Sequence, residues 1–166
     1  MKRIFERANK YLQGLSTIKF IIVIVLLTYL TFMIFFPLIY LYEEYIGQMG
    51  GPENLNAASV ESQIIIGSII GPLIETFIFQ YGIIEILSST KIFKEKNIII
   101  AVISSLLFGI SHSYSYIYMV YAFIIGLLLA YSYFVYRKKG FSAFWIVFII
   151  HGIRNTISTI LIYFNI

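Results

Sequence analysis

A few polar side chains stand inside the long apolar stretches of this sequence, and their types could carry chemistry. They are Glu75, Gln80, His112, His151, Arg154 and Asn155. A carboxylate such as Glu75 at mid-membrane depth costs several kcal/mol, so it normally faces protein, forms a pair or takes part in a reaction. Carboxylate and imidazole groups serve proton transfer and metal binding. The elements that carry these residues must therefore bring them together.

The composition indicates an integral membrane protein. Of 166 residues, 60% are hydrophobic and only 12% are charged, against about 25% charged residues in an average soluble domain. The mean hydropathy is +0.88. Cysteine is absent, which excludes disulfides and thiolate sites. The net charge of +4 comes from basic residues that flank apolar segments, a pattern that reports membrane orientation rather than nucleic-acid binding.

The apolar pattern predicts one all-α domain over residues 1–166, a polytopic helical bundle with about five transmembrane helices. The expected spans are residues 20–40, 62–87, 98–112, 117–136 and 141–164. The first is too long for a cleaved signal peptide and is expected to be retained. A polar loop with Glu43, Glu44, Glu53, Glu61 and the breaker Gly50-Gly51-Pro52 follows it.

The basic residues predict a cytoplasmic amino terminus. With that orientation every Lys and Arg outside the spans falls on one side, in the three clusters of residues 2–19, 91–96 and 137–139. The opposite loops contain none, which satisfies the positive-inside rule. The remaining basic residue, Arg154, lies inside the last span. We expect an integral membrane protein in contact with lipid, in a bacterial plasma membrane.

Depth and helical spacing predict that the polar groups meet. Counted from the basic ends at 1.5 Å per residue, Glu75 and His112 lie roughly 20 Å deep and His151 roughly 15 Å deep. Three sets of residues, spaced three or four positions apart, each form a polar stripe on one face of a helix. These stripes are expected to face the bundle interior, because lipid cannot hydrogen-bond to polar groups. They are Ser68, Pro72, Glu75, Phe79 and Gly82; Ser104, Ser105, Phe108 and His112; and His151, Arg154, Asn155 and Ser158.

These motifs resemble those of the CAAX-protease and bacteriocin-processing family, also called the Abi or CPBP family. The family places a Glu-initiated motif, then Phe-x-x-x-His, then His-x-x-x-Asn on successive spans. Here the second motif is residues 108–112 and the third is residues 151–155. The first motif departs from the usual Glu-Glu-x-x-x-Arg, since Thr76 replaces the second Glu and Gln80 replaces the Arg.

The resemblance implies an intramembrane endopeptidase that acts on a membrane-associated peptide or protein. Glu75 would activate water, His112 would help to hold that water, and His151 with Asn155 would donate to the oxyanion. Thr76, Phe79, Gln80, Phe108 and Arg154 would support the site or contact substrate. The altered first motif makes a prenylated CAAX substrate less favoured than another membrane peptide.

Several alternatives stay open at this stage. Glu75, His112 and His151 could instead ligate a zinc ion, although no His-Glu-x-x-His motif favours it. Glu75 could pair with Arg154, or Arg154 could supply the cation missing at Gln80. A non-catalytic bacteriocin-immunity or regulatory protein of the same family is the alternative function. A proton-coupled transporter with a Glu75 and His112 relay is a third, disfavoured by the lack of an internal repeat.

Overall fold

The computed structural model describes residues 2–52, 55, 57–140 and 142–164. These residues form helices and the connections between them, and they contain no strand. The helices are α1 (Lys2–Gly14), α2 (Thr17–Tyr45), α3 (Val60–Ser89), α4 (Asn97–Ser111), α5 (Tyr116–Lys139) and α6 (Ala143–Tyr163). Glu53 of the expected polar loop and Phe141, the expected first residue of the last span, lie outside the described residues. The prediction of an all-α bundle is confirmed.

Helices α2, α3, α5 and α6 are the four in the described part of the chain that are long and apolar enough to cross a membrane. Their outward faces expose large apolar side chains such as Leu26, Met33 and Ile74, which suits contact with lipid. Helix α4 is apolar but has only 15 residues. It spans about 22 Å, less than a hydrocarbon core of about 30 Å. The five crossings and the cytoplasmic amino terminus stay predictions.

The basic segment that precedes the first long helix contains a helix of its own. Helix α1 covers Lys2–Gly14 and docks on α5, where the hydroxyl of Tyr131 donates to Oδ1 of Asn9 over 2.8 Å. Next to it, Nζ of Lys139 donates to the carbonyl of Leu15 over 3.1 Å. The amino-terminal and residue 137–139 basic clusters therefore lie at the same end of the bundle.

The bundle has two chemically different ends. We define the basic end of the bundle as the end at which α2, α4 and α6 begin and α3 and α5 finish. There Nε of Arg137 lies 3.2 Å from Oε1 of Glu85. We define the distal end as the opposite end of the bundle. There the hydroxyl of Ser115 donates to the carbonyl of Met49 over 2.6 Å. This bond ties the connection between α2 and α3 to that between α4 and α5.

Helix α3 is not a regular α-helix along its length. It is π-helical over Ile65–Ile70 and Thr76–Ile83 and α-helical over Val60–Ile64, Gly71–Glu75 and Ile84–Ser89. Its buried residues recur every fourth position, at Ser68, Pro72, Thr76, Gln80 and Ile84. The expected stripe is fully buried at Ser68 and Pro72, while its members Glu75, Phe79 and Gly82 are half-buried beside the fully buried Thr76 and Gln80. A π-turn holds more residues than an α-turn, which moves the inward face along the sequence.

The two helices that carry Glu75 and His151 pack closely because of a glycine. A Cβ built on Gly152 of α6 would lie 2.8 Å from the carbonyl oxygen of Ser68 on α3, closer than such atoms approach. Below this crossing the core continues with Phe20 and Ile24 of α2, Leu129 of α5 and Val147 of α6. The glycine lets α6 present the residues beside it to α3 at short range.

Candidate active site

Glu75, His112 and His151 meet in the interior of the bundle. Oε2 of Glu75 lies 3.8 Å from Nε2 of His112 and 3.5 Å from Nε2 of His151. The three side chains come from α3, from the end of α4 and from α6. The prediction that these groups converge is confirmed. Both distances exceed those of direct N–H···O hydrogen bonds, which are about 2.7–3.2 Å, so the groups are close neighbours that are not directly hydrogen-bonded.

Hydrogen bonding fixes the tautomer of neutral His112. Its Nδ1 lies 2.8 Å from the carbonyl oxygen of Phe108. A carbonyl oxygen only accepts, so Nδ1 carries the hydrogen and donates it. Nε2 of the neutral ring then presents its lone pair toward Glu75. The ring also stacks on Tyr118, with centroids 5.9 Å apart and planes at 9°, so its orientation is held on two sides.

His151 is the most enclosed member of the group. It is 3% exposed, and its ring meets that of Phe108 edge to face with centroids 5.7 Å apart. Its Nε2 approaches Glu75, while its Nδ1 is buried without a hydrogen-bond partner among the described residues. The expected third stripe is confirmed, because His151, Arg154, Asn155 and Ser158 line one cavity.

Asn155 is locked by two bonds that leave one donor free. Its Nδ2 donates to the carbonyl of Gly67 over 2.7 Å, and its Oδ1 accepts from Nη1 of Arg154 over 2.9 Å. Because a guanidinium only donates and a carbonyl only accepts, these two partners define the orientation of the amide. The second hydrogen on Nδ2 is available to a ligand in the cavity.

Arg154 contacts Asn155 and a tyrosine rather than a carboxylate. Its Nη2 donates to the hydroxyl of Tyr121 over 2.9 Å, and its guanidinium lies 5.6 Å from the centre of that ring. Within the described parts of the chain, the near neighbours of the Glu75 carboxylate are the two histidines, and the arginine that pairs with a carboxylate is Arg137, with Glu85. The alternative of a direct ion pair between Glu75 and Arg154 is therefore not observed.

The remaining predicted support residues lie beneath the site. The hydroxyl of Ser104 donates to the carbonyl of Phe79 over 2.9 Å, and the Phe79 ring packs on Phe108 with centroids 5.5 Å apart. Thr76 and Gln80 are fully buried, and their side-chain polar atoms have no hydrogen-bond partner among the described residues. Neither Thr76 nor Gln80 lines the cavity that Arg154 borders. Arg154 and Gln80 therefore do not face the same cavity, which was the basis for expecting Arg154 to supply the missing cation.

A cavity of about 780 Å³ opens onto the three titratable groups. Its walls include residues that sequence reasoning did not select: Gly67, Tyr114, Tyr118 and Tyr121. Tyr114 lies in the turn before α5 and Tyr118 in the first turn of that helix, whereas Tyr116 between them is 80% exposed. Burial raises the pKa of the Tyr114 phenol, and the nearby Glu75 carboxylate raises it further.

The zinc alternative finds no support in the arrangement of the ligands. Across residues 2–52, 55, 57–140 and 142–164, no group of three or more His, Cys, Asp or Glu side chains is placed to hold a metal ion. The residues that the alternative needs, Glu75, His112 and His151, are all within those ranges.

The fold and the site together define a helical integral membrane protein with an intramembrane carboxylate–histidine centre. The family described as Type II CAAX prenyl endopeptidase Rce1-like matches residues 58–157, more than half of the chain, and the protein belongs to this family. The matched range contains Glu75, His112, His151 and Asn155, and the expected family resemblance is confirmed. No curated protein and no solved structure matches the chain.

Proposed function

We propose that the protein is an intramembrane endopeptidase that cleaves a membrane-associated peptide with water activated by Glu75. The observation that carries this proposal is the position of the Glu75 carboxylate, 3.5 Å and 3.8 Å from two imidazole nitrogens at the wall of an open cavity. Membership of a CAAX-type protease family gives the general reaction. The location we propose is a bacterial plasma membrane.

The proposed first step is attack on the peptide carbonyl. A water molecule between Glu75 and the Nε2 lone pair of His112 donates its hydrogens to these two acceptors. Its oxygen attacks the carbonyl carbon while Glu75 takes one proton, which is general base catalysis. The carbonyl oxygen becomes an oxyanion, and the free Nδ2 hydrogen of Asn155 and the Nε2 hydrogen of His151 stabilise it.

The second step breaks the peptide bond. The tetrahedral intermediate collapses, the C–N bond breaks, and the proton held by Glu75 passes to the leaving amine. The products are a carboxylic acid and an amine, which exchange a proton to become a carboxylate and an ammonium ion, so atoms and charge balance without a further reactant. Fixed donors in an interior of low polarity favour the oxyanion more than they would in water.

The test is cleavage of peptides by the protein purified into lipid vesicles. Fluorogenic peptides are used both with and without a lipidated cysteine. We expect Glu75→Gln and His112→Ala to lower kcat by about 10²–10⁴. The matched control is Glu61→Gln, the same change at an exposed position of the same helix, which should leave kcat unchanged. Wild-type rates in Glu75→Gln would refute the mechanism.

Chelation separates this mechanism from the zinc alternative. We expect cleavage to continue after incubation with 1,10-phenanthroline, because no step needs a metal. Loss of activity that added Zn²⁺ restores would contradict the metal-free mechanism and assign Glu75, His112 and His151 to a metal site instead.

A non-catalytic role is a second candidate, and the first motif favours it. Thr76 and Gln80 stand where the family usually has Glu and Arg, and both are buried without charge. The protein would then act as an immunity or regulatory protein that binds a membrane partner. This candidate predicts that its cellular phenotype persists in Glu75→Gln and His112→Ala, whereas a protease loses the phenotype with its activity.

A further inference from the structure

The cavity lies in one half of the bundle. Along α3 its lining runs from Gln63 to Glu75, which stands midway along the helix, and α5 contributes from Tyr118 to Ile125 at its beginning. Helix α6 contributes the half that follows His151. No described residue of the basic end lines the cavity. Gly50, Gly51, Pro52 and Tyr114 border it at the distal end, so the cavity extends to that end of the bundle.

The shortness of α4 accounts for this extension of the cavity. Helix α4 starts at the basic end and stops after 15 residues, at Ser111. Its carboxyl-terminal end therefore falls short of the membrane thickness by roughly 8 Å. The chain then leaves the helix at His112 and turns at Tyr114, which lines the cavity. Non-helical backbone at membrane depth is tolerated where it borders a polar cavity, which is its situation here.

The charges distinguish the two ends just as sharply. The clusters of residues 91–96 and 137–139 lie at the basic end, and Lys and Arg are absent from residues 20–90 and 97–136. The distal end carries the exposed acids Glu43, Glu44 and Glu61 instead. Basic residues are retained on the cytoplasmic side of membrane proteins. The distal end therefore belongs to the outer face of the membrane.

We propose that peptides reach Glu75 through the distal end, so that the protein acts on a peptide segment presented at the outer face of the membrane. This rests on the proposed function for the cleavage itself, but the side from which the cavity is reached is an independent property of the chain. This route excludes a peptide presented on the cytoplasmic side as the substrate, because such a peptide would meet the closed, basic end.

The absence of cysteine makes the side of the opening directly measurable. Thr159→Cys places a thiol in the cavity lining, Gln48→Cys places one in the distal connection, and Lys94→Cys places one at the basic end. A charged, membrane-impermeant methanethiosulfonate reagent is applied to intact cells and to inside-out vesicles. We expect Thr159→Cys and Gln48→Cys to react in intact cells and Lys94→Cys to react only in inside-out vesicles.

The labelling result stands apart from the result for catalysis. Reaction of Thr159→Cys only in inside-out vesicles, or from neither side, would overturn the proposed route. In right-side-out proteoliposomes, peptide added outside should be cleaved and peptide enclosed inside should not; the reverse also overturns it. If no peptide is cleaved from either side, the proposed function fails, while the labelling of Thr159→Cys still decides the side of the opening.

Discussion

At the residue scale, the site is defined by which atom of each side chain faces Glu75. The carbonyl of Phe108 directs the Nε2 lone pair of His112 inward, and Arg154 with the carbonyl of Gly67 leaves one hydrogen of Asn155 free. Such bonds orient a group before the reaction, which is why their loss affects a rate more than binding. Arg154 thus bonds directly to Asn155, while it shares the cavity with Glu75 without a direct contact.

Asn155→Ala tests the proposed oxyanion donor. Removing one such donor lowers kcat by about 10²–10³ in comparable sites, and we expect a loss of this size with little change in KM. Steady-state cleavage of a fluorogenic peptide in vesicles measures both constants. Thr156→Ala is the matched control, since the Thr156 hydroxyl bonds the carbonyl of Gly152 within its own helix. An unchanged kcat in Asn155→Ala would remove Asn155 from the mechanism.

At the element scale, the register of α3 and its crossing with α6 place the carboxylate against the histidine. The π-helical segments Ile65–Ile70 and Thr76–Ile83 turn Thr76 and Gln80 into the core and leave Glu75 at the cavity wall. At the crossing, Gly152 stands directly after His151 and against Ser68. The contact between Glu75 and His151 therefore depends on backbone approach as well as on side chains.

Gly152→Ala tests this crossing. The added methyl group meets the Ser68 carbonyl at 2.8 Å, and such overpacking typically costs about 1–3 kcal/mol. We expect a lower Tm in detergent and a lower kcat, because His151 moves away from Glu75. Gly14→Ala is the matched control: nothing lies within 4 Å of its added Cβ. Equal Tm values for Gly152→Ala and wild type would show that α6 does not need the glycine.

At the scale of the whole molecule, the two ends of the bundle have different tasks. The basic end is closed by contacts between helices: Arg137 of α5 pairs with Glu85 of α3 and donates to Ser88 over 2.9 Å. Tyr133 adds a bond to the same carboxylate over 2.8 Å. The distal end holds the cavity, bordered by connections and by the short α4. One end thus joins the helices to each other, and the other holds the cavity.

Arg137→Gln tests the closure of the basic end. The Arg137 and Glu85 side chains are 39% and 35% exposed, so solvent screens the pair and its loss should cost at most about 1 kcal/mol. Thermal unfolding in detergent at low and high salt should show a lower Tm only at low salt. Lys138→Gln removes the same charge at the next, exposed position and should leave Tm unchanged. Equal effects of the two variants would assign the change to net charge.

Much of the fold followed from local pattern, but two features did not. Apolar length placed the long helices, but it gave no sign of the separate helix α1 ahead of α2, because a basic amphipathic helix is too polar to be counted as a membrane span. The full burial of Thr76 and Gln80 beside this stripe was missed, since an α-helical period of 3.6 does not describe π-turns. The tyrosines of the cavity were missed because belt and cavity positions use the same residue type.

The sequence by itself determined that the chain is a membrane protein and which polar groups it places inside the membrane. It also determined the family motifs that contain Glu75, His112, His151 and Asn155. These are properties of residue type, spacing and depth. The tertiary structure decided that Glu75 meets the two histidines rather than Arg154, that Thr76 and Gln80 are buried away from the cavity, and that the cavity lies in the distal half of the bundle. Those outcomes depend on helix crossings, hydrogen-bond directions and the length of α4 relative to its neighbours, which arise only when distant segments pack together.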